Sequence, residues 1–331
     1  MLQPTPKSRA RRALQYLWAL TVGLRPESPA PLALLRVGVC CILILQAISL
    51  RDYLYPLVGS LGIMQPEITG GLTSGSLPRL QWAIYLGGYL PGLSEEQIIT
   101  ACFIAYIFSL SLLALGSFTR VAALFAWLLH LTFNTSGIAS TYGVHEFTNI
   151  ALFYCFVMPV GKAFSIDSRR RGDEATESVY YALCRRVLQW HLCIVYLSSG
   201  VEKAAGVQWW NGEAVWRALM REGVPVSFAW LAAVPLVAMM LCWGTLLLEM
   251  GYAFFVWPLS TRKIWLALIT AFHAGIALSL GLWFFSGSMI LLNLAAFYPL
   301  RTTTTRVHER EQVKSETVGN QAAHPEATGV M

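Results

Sequence analysis

Apolar residues in this chain gather into long runs separated by short polar breaks, and a helix of about 20 apolar residues crosses a hydrocarbon core roughly 30 Å thick. Eight spans are predicted: Leu32 to Leu50, Gln97 to Leu115, Val121 to Ala139, Phe147 to Val160, Val179 to Ser199, Phe228 to Trp257, Ile264 to Leu280 and Trp283 to Pro299. The fourth is short. The sixth is long and contains Pro235, which predicts a tilt or a break there. The fold class that follows is all-α: a polytopic transmembrane helix bundle with one or two interfacial helices besides.

The connections carry their own signals. The longest, Arg51 to Glu96, contains LPRLQWAIYL, a mildly amphipathic segment read as a re-entrant or interfacial helix. After Lys203 comes WWNGEAVWRALMREG, where Asn211 is expected to cap a short helix carrying Val215, Trp216 and Leu219 on one face. Residues 1–30 form a basic N-terminal segment, 31–299 the transmembrane domain, and 300–331 a polar tail expected to be disordered and cytoplasmic. In the first segment, Lys7, Arg9, Arg11 and Arg12 precede Ala13 to Leu24, which is too short to span and is followed by Pro26, Pro29 and Pro31. A helix lying on the cytoplasmic surface is expected there rather than a cleaved signal.

Composition sharpens this picture. Of 331 residues, 56% are hydrophobic and only 13% charged, against about 25% charged in a soluble chain, so most of the polypeptide cannot face water. Twelve Trp, thirteen Tyr and sixteen Phe supply interfacial anchors. The net charge of +6 does not signal nucleic acid, because the basic residues sit in short loops and tails. With the N-terminus inside, the inner segments hold Arg120, Lys162, Arg169, Arg170, Arg171, Arg262, Lys263 and the basic tail, against Arg51, Arg79, Lys203, Arg217 and Arg221 outside. That asymmetry predicts both termini in the cytoplasm and a multi-pass protein of a plasma membrane, the bacterial inner membrane by expectation. The seven cysteines lie in apolar runs without CxxC or zinc spacing, so they read as small buried hydrophobes and no metal site is expected. P-loop, GxGxxG, HExxH and GxSxG patterns are absent.

Ionisable residues within spans are expensive and mark candidate sites. Arg185, Gln189, Tyr196, Gly200 and Lys203 share one helical face, which should turn away from lipid. Lys203 has two readings: a snorkelling side chain at a helix end, or an amine in a partly dry pocket acting as a base. His145 lies in the turn before the fourth span, on the same membrane side as Lys203. His273 lies near mid-membrane, with Gly275 and Ser279 expected to allow close helix approach. Glu249 is deep in the sixth span, with Arg185, Arg186 or His273 as expected partners. His130, Asn134 and His191 are weaker candidates, and Arg36 is expected to anchor at headgroups or pair with an acidic residue.

At the fifth span, YLSSGVEKAAGVQWWNGEAVW resembles the hallmark of the horizontally transferred transmembrane (HTTM) domain, a family that includes the vitamin K-dependent γ-carboxylase. The matching residues are Tyr196, Gly200, Lys203, Trp210 and Gly212. LALLRVGVCCILILQ around Arg36 and Gly38, FSID at Phe164 to Asp167, and His273, Gly281, Leu282, Phe285, Ser286 and Met289 match in order. The resemblance implies that Lys203 is a base towards a reduced quinone resembling vitamin K hydroquinone, assisted by His145 and His273. It implies that Tyr196, Gly200 and Trp210 help to bind that cofactor. The carboxylase continues into a substantial lumenal domain that helps hold its protein substrate, and a departure from it is expected there, with a short cytoplasmic tail instead. Two functional expectations result. One is an outward-facing pocket lined by His145, Lys203 and His273 that binds a quinone-like or lipidic molecule and modifies a secreted peptide. The other is a non-enzymatic maturation or immunity partner for an exported peptide. A transporter is a third and weaker one, since broken helices in corresponding halves are not evident.

Overall fold

The computed structural model describes residues 21–300 except 74–75, 90–91 and 173–175, together with residues 15, 18 and 19. Most of the expected surface helix Ala13 to Leu24, and the tail after residue 300, lie outside the described residues. Within them, regular structure is helical apart from one antiparallel bridge between Glu27 and Ser178. Eight long helices carry the fold: α1 (Ala30–Leu50), α2 (Glu95–Leu115), α3 (Thr119–Ser136), α4 (Gly143–Val157), α5 (Val179–Ala205), α6 (Pro235–Phe255), α7 (Leu259–Leu280) and α8 (Trp283–Phe297).

Four segments are long and apolar enough to cross a membrane by themselves: Ala30–Val58, α2, α6 and α7, while α8 is apolar but shorter. The remaining helices are short or carry inward polar residues. Their polarity is compatible with the bilayer because it faces neighbouring helices. α1 packs on α2, α4 and α8, α3 lies between α2 and α4, and α5 lies along α6 and α8. Leu35, Leu43, Leu110, Leu152, Leu188 and Phe297 belong to one continuous apolar core.

Several boundaries differ from the predicted ones for local reasons. Pro235 begins α6 rather than kinking it, and the preceding residues form a separate 3-10 turn, Ala229–Ala233. α4 starts at Gly143, so His145 belongs to its first turn instead of the loop before it. α5 passes Ser199 and stops only at Ala205, placing Lys203 in its last turn. Beyond that stop the chain continues as two short helices, Val207–Trp210 and Glu213–Leu219. Gly212 makes the corner at φ +87°, where a Cβ would meet the Met239 backbone nitrogen at 2.7 Å. Gly212, not Asn211 as expected, is the N-cap of the second short helix; the Asn211 side chain accepts the Glu213 N–H at 3.0 Å and closes the corner instead. Leu219 and Val215 pack with Leu231 and Ala238 while Trp216 points outward, so the short helix docks on the bundle.

Arg36 neither anchors at headgroups nor meets a carboxylate. It is fully buried and donates to the carbonyls of Val160 at 2.9 Å, Ala163 at 3.4 Å and Phe164 at 2.5 Å. The chain after α4 turns without helical hydrogen bonds, and the guanidinium fork satisfies the carbonyls it leaves open. Gly275 also departs from expectation: a Cβ there would meet nothing within 4 Å, so it brings no helix close.

Candidate functional site

The face of α5 predicted to turn inward does so, and its lower part is held by backbone. Arg185 donates to the carbonyls of Ala296 and Tyr298 and pairs with Glu27 at 2.9 Å, and Gln189 donates to Ala296 at 2.7 Å. At the other end of the helix, Gly200 lets α6 approach. A Cβ there would lie 2.6 Å from Met250 Cγ and 3.1 Å from the Met250 backbone nitrogen.

That approach brings Lys203 to Glu249. The Lys203 Nζ donates to Glu249 Oε2 at 2.8 Å and Oε1 at 3.0 Å, and also to Ser199 Oγ. Its charge lies 5.5 Å from the centre of the Trp209 ring. The two side chains are 24% and 7% exposed. Lys203 therefore turns into the bundle instead of snorkelling, and three acceptors take its three ammonium protons. The expected partners of Glu249 are displaced by this pair. Arg186 donates to Gly23 and stacks over Trp257, and it lies 17 residues from Lys203, about 25 Å along the helix.

Two turns below Lys203 on the same face, Tyr196 enters a network whose donors can be assigned. Tyr252 donates its hydroxyl to Asn293 Oδ1 at 2.6 Å, and Asn293 Nδ2 donates to the Tyr196 oxygen at 2.8 Å and to the Met289 carbonyl. Tyr196 then has its own proton to give, and His273 Nε2 is 2.8 Å away. A neutral His273 accepting there carries its proton on Nδ1. That nitrogen is buried and has no hydrogen-bond partner among the described residues.

His145 joins a different network. Its Nε2 lies 3.2 Å from Gln46 Nε2, and its Nδ1 lies 3.1 Å from the Tyr142 amide nitrogen and 3.3 Å from the Tyr142 carbonyl. The ring faces His130 at 6.3 Å between centroids. His130 is held between the Tyr106 hydroxyl at 2.8 Å and the Thr148 hydroxyl at 3.1 Å. Beside them lies a cavity of about 80 Å³ whose lining includes Leu43, Leu54, Phe103 and Phe133 along with Gln46 and His145.

Three of the predicted residues, Tyr196, Gly200 and Lys203, thus line one seam, and His273 meets it through Tyr196. His145 does not touch them. Phe285 of α8 packs its ring 5.8 Å from His273 and 6.0 Å from Phe147 of α4. Trp210 is exposed and donates to the Ala204 carbonyl at 2.8 Å, while its neighbour Trp209 lies over the amine. His191 meets the Tyr154 hydroxyl at 3.0 Å, away from both networks. Among the described residues no group of His, Cys, Asp and Glu is arranged to hold a metal.

Sequence reasoning missed Asn293, Tyr252, Gln46, Thr148 and Ser199. Two of them left a signal, since Asn293 and Gln46 are lone amides inside apolar runs, where an unpartnered amide is costly.

These features define a polytopic helical membrane protein whose ionisable groups are withdrawn from lipid into a buried seam. Residues 85–299 match the family model of the HTTM domain, and the chain belongs to that family. Neither a curated protein nor a solved structure matches it.

Proposed function

We propose that this chain handles a proton for a lipidic, quinone-like molecule taken from the bilayer, and that this chemistry serves the modification of a secreted peptide. The observation that carries the reading is Lys203, an amine turned from the membrane surface onto a buried carboxylate and Ser199. Because the ammonium already carries three protons, a proton taken up there goes to the Glu249 carboxylate beside it, and Lys203 holds that carboxylate in place.

The residues present fit such a ligand. The stranded Nδ1–H of His273 calls for an acceptor oxygen. The apolar cavity beside His145 is a separate space, since Tyr196, Lys203, Glu249 and His273 do not line it. When bound, a reduced quinone supplies an ionisable hydroxyl and two electrons, with dioxygen as the oxidant that takes them. His273 would hold an oxygen, the Lys203–Glu249 pair would accept the proton, and Tyr196 with Asn293 would fix the imidazole.

Purified protein in nanodiscs, given a reduced quinone, carbon dioxide and a candidate exported peptide, tests the reading. Hydroquinone oxidation or carbon incorporation should fall at least a hundredfold in Lys203→Ala. Equal rates in both proteins, or none in either, would remove the enzymatic claim. The identity of any lipid or quinone that co-purifies bears on the same point.

A second reading, a non-enzymatic maturation or immunity partner, is favoured by one observation. Between α1 and α2 the chain exposes Leu61, Ile63, Leu72, Tyr85 and Leu86, an apolar surface suited to an exported peptide. On this reading Lys203→Ala keeps function, and changes in residues 51–96 abolish peptide crosslinking.

A further inference from the structure

The cavity beside His145 has walls that are mostly apolar, and no Lys, Arg, Asp or Glu lines it. Leu54 and Val58 of the short helix Leu54–Val58 close one side. Leu50 also lines it and is 37% exposed, so the space reaches the surface there.

Most polar groups in the lining are already spent. Thr148 donates its hydroxyl to the Val144 carbonyl at 2.8 Å, so it receives the His130 Nε2–H, and His130 Nδ1 receives the Tyr106 hydroxyl proton. His145 turns one nitrogen to the Tyr142 backbone and the other to Gln46. The hydroxyls of Ser140 and Thr141 each donate to a backbone carbonyl at 2.8 Å.

Two amides are left over. Asn134 lines the cavity, and its side chain meets no hydrogen-bonding group among the described residues. Gln46 is 5% exposed; one end of its amide lies 3.2 Å from His145 Nε2, and the other end meets no partner among the described residues. Which end remains depends on the proton of His145. With Nδ1–H, the amide NH₂ serves His145 and the oxygen is left; with Nε2–H, the oxygen serves it and the NH₂ is left. Amides held away from water without partners are costly and call for a ligand group that satisfies them.

We propose that this cavity is a binding site of its own for an uncharged long-chain alcohol drawn from the bilayer, its hydroxyl bonded to the Asn134 and Gln46 amides. A hydroxyl both donates and accepts, so it matches either state of the Gln46 amide. An ionised headgroup would find no opposite charge here, and a bare hydrocarbon would leave both amides unpaired. The volume of about 80 Å³ holds about six water-sized groups, enough for the hydroxyl and the first carbons, with the remaining chain passing Leu50 into lipid. The site is independent of the Lys203 chemistry.

The test is photolabelling of the full chain in nanodiscs with a diazirine analogue of octanol, the labelled residues being mapped by mass spectrometry. Label should fall on the cavity walls of α1, α2 and α3. Decanol should compete, whereas decane and decanoate should not. Asn134→Leu removes an amide that has no partner to lose, so it should fold with an unchanged melting temperature and label about tenfold less, the loss expected for one hydrogen bond. Ala47→Leu is a second variant, which fills the space from α1 and should abolish labelling there. Wild type that takes no label in the cavity, decane that competes as well as decanol, or full labelling in both variants overturns the proposal.

Discussion

Removing the Lys203 amine strands a carboxylate that is 7% exposed, whereas removing both charges leaves an apolar seam. Lys203→Met should therefore lower unfolding stability by about 3 kcal/mol, and Lys203→Met with Glu249→Leu should recover most of the loss, as thermal unfolding in detergent would show. Equal losses in single and double variants would mean the pair is not coupled. Asp167 gives a pH-dependent counterpart at the other end. Partial burial raises its carboxyl, but the Thr119 N–H and hydroxyl, the Phe118 N–H and Arg171 outweigh this and hold it below the usual carboxylate value. A carboxylate so depressed contributes stability above its unfolded value near 3.8 and loses that contribution as pH falls through the lower folded value. Melting temperature should drop between pH 4 and lower pH, and Asp167→Asn should flatten that drop. At this scale the inward face of α5 was legible, because a 3.6-residue period orders side chains along one helix. The Lys203–Glu249 pairing was not, because it depends on how far α6 is shifted against α5, which no local pattern encodes.

Between α5 and α6 the decisive residue has no side chain. Gly200→Ala places a methyl 3.1 Å from the Met250 backbone nitrogen, so the helices must separate and the ion pair must lengthen. Overpacking of this kind costs about 1–3 kcal/mol, and Gly200→Ala should lose stability within that range in a thermal melt. Gly275→Ala, with open space around it, should lose none. The expectation that Gly275 brings helices together failed, and Gly200, read from the sequence only as part of an inward face, is where α6 closes on α5. Helix ends show the same limit. The break at Pro235 was readable because proline fixes φ and suits a first turn. The start of α4 at Gly143 was not, because its first turn is closed by Tyr142 and His145, residues without the usual capping signature.

For the whole molecule, hydrophobic run length was enough to establish a helical membrane protein, since the chain has no other way to shelter so much apolar surface. Sidedness rests on charge. Basic loops around Arg120 and Arg170 predict that end in the cytoplasm. A cysteine introduced at Arg170 should resist impermeant maleimide in intact cells while one at Arg221 reacts, and the reverse pattern would invert the topology. The separation of His145 from Lys203 was hidden in the sequence, because both lie at the same end and only helix packing gives one to Gln46 of α1 and the other to Glu249 of α6. The full length of α5, 27 residues to Ala205, has a further consequence. At about 40 Å it covers hydrocarbon and headgroups together, so its last turn stands where a water-borne chain arrives from one side and fat-soluble molecules approach from another. One amine is thereby presented to two solvents, and reactants that never mix could meet at it.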